Sequence, residues 1–314
     1  MTRRISLDTV REAANHVYRA ALRTPLVRVD APGSSELYLK LETLQPIGSF
    51  KIRGAYNAVR QLSQAELAQG VWTVSAGNAA QGVALAARLV GARCSVLVMD
   101  TAPQAKLEAI ARLGATIVQA PYDECWRAVE EHASERMHGH FVHPFDDDAF
   151  ISGNGTLALE ILEDVPDVDR VIAPLGGGGL LAGIGCVTRA RKPGVKVMAA
   201  EPETAAPLAA SIAAGRPGYF PGWRASFVDG AGGRSVLPSM WPLLQAWTDG
   251  SIVVPLDEVR GAMRFAAERA RVIAEGAASC AVAAALRTPE PGKTVAVVSG
   301  GNIDLSKFSE LVSA

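Results

Sequence analysis

The feature that most constrains this chain is a steady alternation of short β-rich runs with helical stretches. Residues 71–75, 94–99, 116–119, 171–174, 195–201, 252–254 and 294–299 are apolar and rich in β-branched side chains. Between many of them lie segments of helical character, among them 79–90, 106–113, 122–137 and 180–190. Strands that are apolar along their whole length belong in sheets covered on both faces, so the pattern predicts parallel sheet in an α/β protein. A chain of 314 residues exceeds what one core usually holds, which predicts two domains. Lys+Arg of 31 against Asp+Glu of 32 leaves a formal charge of −1 and excludes a strongly basic nucleic-acid binder or an acidic disordered tail.

The cysteines, Cys94, Cys125, Cys186 and Cys280, stand far apart with no Cys-x-x-Cys. That spacing predicts neither a disulfide framework nor a thiolate zinc site, and Cys280 reads as a packed core residue. The start, Met-Thr-Arg-Arg, is followed by polar Ser6, Asp8, Arg11 and Glu12 where a secretion signal needs an apolar run. The weakly polar stretch 272–286 contains Glu275 and is too short to span a bilayer. The expectation is a soluble cytoplasmic protein. Two stretches break the alternation. Residues 140–148 carry a proline and a carboxylate run and are a candidate domain crossing. Residues 215–233 form a Gly/Pro/aromatic connection long enough to be functional or a subunit contact.

Four segments carry chemistry. In Pro46-Ile-Gly-Ser-Phe-Lys-Ile-Arg-Gly54, Lys51 stands at the first turn of a predicted helix. A lysine whose pKa is depressed by burial or by a nearby positive charge attacks aldehydes, and Arg53 is a candidate source of that field. Ser75-Ala-Gly-Asn-Ala-Ala-Gln-Gly82 joins a strand to a helix, so unpaired N–H groups face outward to receive a carboxylate or phosphate. Its Asn78 carries an amide able to serve an aromatic hydroxyl. Gly176-Gly-Gly-Gly179 precedes another helix and lets backbone N–H groups close on a phosphate. Ser299-Gly-Gly-Asn302 ends a strand and offers a hydroxyl to a ring nitrogen. Taken singly, the first reads better as a surface lysine and the last as a turn. The third also satisfies a dinucleotide fingerprint, Gly177-x-Gly179-x-x-Ala182, with Glu201 placed for a ribose. His138, His140 and His143 have metal-like density but span a helix end, a glycine and a strand, so no metal is expected there.

Taken together, an aldehyde trap, a phosphate cradle, a hydroxyl partner and a ring-nitrogen partner describe pyridoxal phosphate. In this order the motifs resemble the fold-type II (tryptophan synthase β-like) pyridoxal-phosphate enzymes, specifically the serine/threonine dehydratases or threonine ammonia-lyases. The resemblance runs from Arg23-Thr-Pro-Leu26 to Ser299-Gly-Gly-Asn-Ile-Asp-Leu305 and is similar to a short form without a regulatory C-terminal domain. It implies a large cofactor domain (1–54 and 147–314), a smaller mobile domain (55–146) and a homodimer. It implies Lys51 as the Schiff-base lysine, Phe50 beside the cofactor ring, and Gly176, Gly177, Gly178, Gly179 and Leu180 around the phosphate. Asn78 would meet the ring hydroxyl, Ser299 the ring nitrogen, and Glu275 is an acid near the cofactor. Ser75, Ala76, Gly77, Asn78 and Ala79 would clamp the substrate carboxylate.

The implied reaction is β-elimination of a β-hydroxy amino acid such as L-threonine or L-serine, giving a 2-oxo acid and ammonia. β-Replacement and racemisation are the alternatives within the resemblance, and an NAD-binding oxidoreductase is the one outside it. Three positions depart from the pattern. Ala79 replaces a histidine, Gly153-Asn-Gly-Thr156 replaces Gly-Gln-Gly-Thr, and Ala76 replaces the serine that related racemases use as a second proton donor. Those racemases hold a divalent cation near positions matching Glu201 and Ala205, but Pro207 stands where a further carboxylate is expected, so no metal is implied.

Overall fold

The computed structural model describes residues 3–313 except 32 and 34, so Met1 and Thr2 of the polar start lie outside it. Its strands are β1 (Leu26–Val29), β2 (Ser35–Leu41), β3 (Val71–Val74), β4 (Cys94–Met99), β5 (Thr116–Ala120), β6 (His140–Phe141), β7 (Arg170–Pro174), β8 (Lys196–Pro202), β9 (Gly250–Val254) and β10 (Gly292–Val298). They form two sheets. The larger has the order β1-β2-β10-β7-β8-β9 and the smaller β5-β4-β3-β6. Every pairing is parallel except β1 with β2. This is the α/β fold that the alternation predicts.

All seven expected strands are present, with ends shifted by one or two residues. The sequence reading omits β1, β2 and β6. β2 hides because Lys40 interrupts its apolar pattern, yet Lys40 is fully buried. β6 is two residues long. The helix expected over 122–137 ends earlier, at Glu131, because His132 adopts a left-handed φ of 57° and stops it.

Small residues set the packing on the larger sheet. The helix Gly276–Arg287 is buried from Gly276 to Ala285, and its Ala, Gly, Ser and Cys side chains let it lie close on β7, β8 and β10. Cys280 sits there with no exposure, a core residue as the sequence implies. The helix Lys51–Val59 ties the two sheets together. It packs on the helices Asn78–Leu89 and Asp148–Asp164 and is buried from Ile52 to Val59.

A buried ion cluster pins that helix. Arg53 bonds Glu42 (2.8 Å) and Glu160 (2.5 Å), and Lys40 meets Glu160 at 2.5 Å. Thr24, Tyr18 and Gln45 supply further hydrogen bonds to the same carboxylates. Two cations face two anions, so the charges cancel where water is absent. Burial alone would push the Glu42 carboxyl up, but Arg53, Thr24 and Lys40 together outweigh it and hold the carboxyl down.

Candidate active site

The carboxyl ends of strands in both sheets converge on one cavity of about 370 Å³. Open α/β sheets place ligands at this edge because loops and helix N-termini meet there. All the residues singled out in the sequence line it: Phe50, Lys51, Ser75, Ala76, Gly77, Asn78, Ala79, Gly176, Gly177, Gly178, Gly179, Leu180, Glu275 and Ser299.

Lys51 is held by its neighbours on both sides. The Phe50 N–H donates to the Ser299 carbonyl (3.0 Å), and Ser49 bridges Gly300, so the lysine is fastened to the end of β10. The Lys51 Nζ donates to the Pro144 carbonyl at 2.6 Å and lies 5.2 Å and 5.3 Å from the Phe50 and Phe150 ring centroids. What surface it keeps faces the cavity. Burial pulls its pKa down to about 8. Arg53, the expected source of a positive field, has no part in that shift. Its guanidinium is consumed by Glu42 and Glu160.

Opposite the lysine, the glycine turn closes the end of β7 and opens the helix Gly179–Arg191. Gly178 has φ +95°, and a Cβ there would meet Leu244 at 2.9 Å. A Cβ on Gly177 would fall 2.1 Å from the Phe145 ring. The run is therefore a fitted turn. Its free N–H groups stand at a helix N-terminus, where an anion is favoured by the helix dipole.

Asn78 begins the helix Asn78–Leu89 and points its amide across the cavity. Its Nδ2 donates to Glu275 Oε1 (2.7 Å), and its Oδ1 accepts from Asn302 Nδ2 (2.7 Å). Glu275 holds the N-cap position of the helix Gly276–Arg287 without a side-chain capping bond. Burial and then the charge of Asp229 push its carboxyl up to about 7, while the Asn78 bond pulls the other way. Ser299 follows the last residue of β10 and is almost wholly buried.

The other candidates do not join this site. Glu201 accepts N–H groups from Leu208 (2.8 Å) and Ala209 (2.9 Å), and Ser251 donates to it as well. It satisfies the first turn of the helix Pro207–Ala214, both its oxygens already accept, and it is fully buried, which removes the support for a dinucleotide. His138, His140 and His143 do not converge. His143 instead approaches His132 and Asp146, but its Nδ1 accepts the Asp146 N–H (2.7 Å) and its Nε2 faces the Val129 carbonyl (3.2 Å), so both nitrogens are engaged. Burial drives its pKa down to about 3, keeping it neutral.

Three charged cavity residues are not among the site residues named from the sequence: Lys106, Asp229 and Arg234. Lys106 pairs with Asp229 from the opposite side of the cleft. The signal for Asp229 and Arg234 is the long stretch 215–233, which brings its glycines and Asp229 to the cavity and delivers Arg234 just beyond its end. Nothing in the local pattern around Lys106 marks it.

A two-sheet fold-type II architecture with a lysine facing a glycine turn defines a class of cofactor enzyme. The family model for pyridoxal-phosphate dependent enzymes matches residues 17–300, and the chain belongs to that family. It is 38% identical to the L-threonine ammonia-lyase of Thermotoga maritima over 98% of this chain and 78% of that protein. It is 40% identical to human serine racemase over 86% of this chain and 82% of the relative. Among solved structures, maize serine racemase superposes with a TM-score of 0.91 at 33% identity, covering 98% and 96% of the two chains. Threonine deaminase isoform 2 of Solanum lycopersicum gives 0.86 at 30% identity, covering 100% and 96%.

The residues present fit the cofactor. The amine and the glycine turn line one cavity, and the turn has no room for side chains that would block a phosphate. When bound, pyridoxal phosphate supplies an electron sink that labilises the bonds at the substrate Cα.

Proposed function

We propose that the protein catalyses pyridoxal-phosphate-dependent β-elimination of a β-hydroxy amino acid, releasing a 2-oxo acid and ammonia. The observation that carries this reading is the enclosure of Lys51 and the four glycines in the same cavity. Support also comes from the relatives named for threonine ammonia-lyase and threonine dehydratase activity.

In this reading Lys51 anchors the cofactor and then carries the Cα proton. Burial serves both roles by making the neutral amine accessible. About a tenth of the population is neutral at pH 7, against under a thousandth for an ordinary lysine. Phe50 walls the ring, while Gly176 to Leu180 hold the phosphate. Asn78 addresses the ring hydroxyl, and Glu275 braces Asn78. Ser75 to Ala79 present the N-terminus of the helix Asn78–Leu89 to the substrate carboxylate. Ser299 would offer a ring nitrogen a neutral hydroxyl, a partner that would not favour protonation there and would suit elimination over transamination. Ser299→Asp is expected to raise side products, and an unchanged product partition would count against this role.

Elimination is preferred to racemisation because racemisation needs proton carriers on both faces of Cα. Ala76 lines the cavity and carries no proton. The segment 55–146 holds the smaller sheet and is proposed as the mobile domain, although the helix Lys51–Val59 runs unbroken through its first boundary. A homodimer is proposed on the resemblance. A cytoplasmic setting is proposed on four free, buried cysteines, and among the described residues no helix is long and apolar enough to cross a membrane.

The test is a panel of β-hydroxy amino acids assayed for ammonia and oxo-acid release, with Lys51→Ala as control. The wild type is expected to be yellow and active, the variant colourless and inactive. A coloured protein that releases neither product from any member would overturn the reading.

A further inference from the structure

Five charged side chains line the cavity: Lys51, Lys106, Asp229, Arg234 and Glu275. Lys106 and Asp229 neutralise each other. Lys51 is committed to the cofactor, and Glu275 is hydrogen-bonded to Asn78. Arg234 is different. Among the described residues no carboxylate forms an ion pair with it, and its buried Nε has no hydrogen-bond partner. The nearby Glu130 is engaged by Trp126 at 2.9 Å and Tyr219 at 3.4 Å.

The guanidinium is nevertheless fixed in place. It lies 4.2 Å from the Tyr122 ring centroid and 4.1 Å from the Trp223 centroid. The segment that carries it is anchored as well. The Phe220 N–H donates to the Arg234 carbonyl (2.8 Å), and Trp223 Nε1 donates to the Gly232 carbonyl (2.9 Å). A guanidinium donates only in its own plane, so ring contacts hold the group without using its N–H edge. That edge matches a carboxylate in two-point geometry.

We propose that Arg234 is a specificity-determining anion receptor and that the preferred substrates are β-hydroxy amino acids bearing a second carboxylate. This rests on the elimination reading, in which the helix N-terminus at Ser75–Ala79 takes the α-carboxylate and leaves Arg234 for the far end of the substrate. The chemistry needs no further reactant. Loss of the Cα proton and the Cβ–O bond releases water, and hydrolysis of the resulting imine consumes one water. A 3-hydroxy dicarboxylic amino acid thus yields a 2-oxo dicarboxylate and ammonia.

The experiment uses the holoenzyme with L-threo-3-hydroxyaspartate and L-threonine as substrates. L-Aspartate and L-asparagine, isosteric and lacking a β-hydroxyl, serve as competitive ligands. The wild type is expected to favour hydroxyaspartate over threonine in kcat/KM by about tenfold or more, and to bind aspartate about tenfold tighter than asparagine, because a site built for a charged partner rejects its uncharged analogue. Arg234→Gln is expected to collapse both ratios toward one, and Arg234→Lys to retain part of each. Equal losses for both substrates in Arg234→Gln would mean that the residue holds the α-carboxylate or only braces the cleft, and would overturn the proposal. So would a wild type that does not distinguish aspartate from asparagine, a result that needs no folded variant. Failure of every β-hydroxy amino acid to release ammonia would instead sink the elimination reading, while the aspartate–asparagine comparison still judges Arg234.

Discussion

Two cations stand two residues apart on one helix, and their surroundings differ in kind. Arg53 is saturated, with Glu42 and Glu160 on its guanidinium and no exposure to solvent. Lys51 has one carbonyl and two aromatic rings, and among the described residues no carboxylate pairs with it. Both sit in low dielectric, so pairing decides the outcome. Counter-charges hold Arg53 permanently ionised, whereas desolvation moves Lys51 toward its neutral form. The paired cation belongs to the framework and the unpaired one to the chemistry. A perturbed titratable group inside a cavity is the usual mark of such a site.

The largest effect should come from breaking the paired side. Arg53→Met strands Glu42 and Glu160 without their main counter-charge, and removing one partner of a buried ion cluster costs about 3–5 kcal/mol. Urea unfolding of the holoenzyme should show that loss with an unchanged slope. A cost below about 1 kcal/mol would mean that the cluster relaxes or admits water, and the contrast with Lys51 would lose its basis.

Lys51→Met should act in the opposite direction in the cofactor-free protein. Above pH 10.5 the lysine is neutral in both folded and unfolded chains and carries no penalty. Between 10.5 and about 8 the unfolded chain takes up the proton first, so stability falls as pH falls, and below about 8 the full penalty is in force. Removing the amine should therefore stabilise the apoprotein at pH 7 by about 2–3 kcal/mol, less whatever the unpaired Pro144 carbonyl costs. The gain should fade as the pH approaches 10.5. A thermal-unfolding series that shows the same difference at every pH would assign the effect to packing instead.

The same contrast explains what could be read from the sequence. Alternation of strand and helix suffices for the fold because parallel sheets demand apolar strands, and the glycine turn is legible because a Cβ at Gly177 would meet Phe145 and one at Gly178 would meet Leu244, a constraint written in the sequence as a glycine run. Lys51 is legible through its motif. The partners of Arg53 are not. Lys40 and Glu42 come from one segment and Glu160 from another 107 residues beyond Arg53, and a fully buried lysine in β2 looks like an interruption of a strand until its counter-charge is known. Arg234 is hidden for the same reason. Its meaning lies in rings brought from positions 122 and 223 and in the absence of an acid, neither of which leaves a local pattern.

Gly177→Ala sharpens the other wall of the cavity. The added methyl would enter the space of the Phe145 ring, and overpacking of this kind costs about 1–3 kcal/mol. The displaced turn should also weaken phosphate retention, read as a lower yield of bound cofactor after dialysis. Full retention with a stable fold would show that Phe145 gives way, and that the turn is less fitted than its contacts imply.

Glu275→Gln is the finest test, because this carboxyl stands between the two regimes, neither paired with a cation nor solvated. Below pH 4.5 it is protonated in folded and unfolded chains alike. As the pH rises from 4.5 to about 7 the unfolded chain ionises while the folded one keeps its proton, so stability falls through that window and stays reduced above it. The amide keeps an acceptor for Asn78 Nδ2 without the buried charge. The variant should therefore match the wild type near pH 4 and exceed it by about 1–2 kcal/mol at pH 8, the lower range reflecting the weaker bond an uncharged acceptor makes. An equal or lower stability at pH 8 would mean that the charged form of Glu275 is stabilised by Asn78 and the helix it precedes, placing this carboxylate with the satisfied cluster around Arg53.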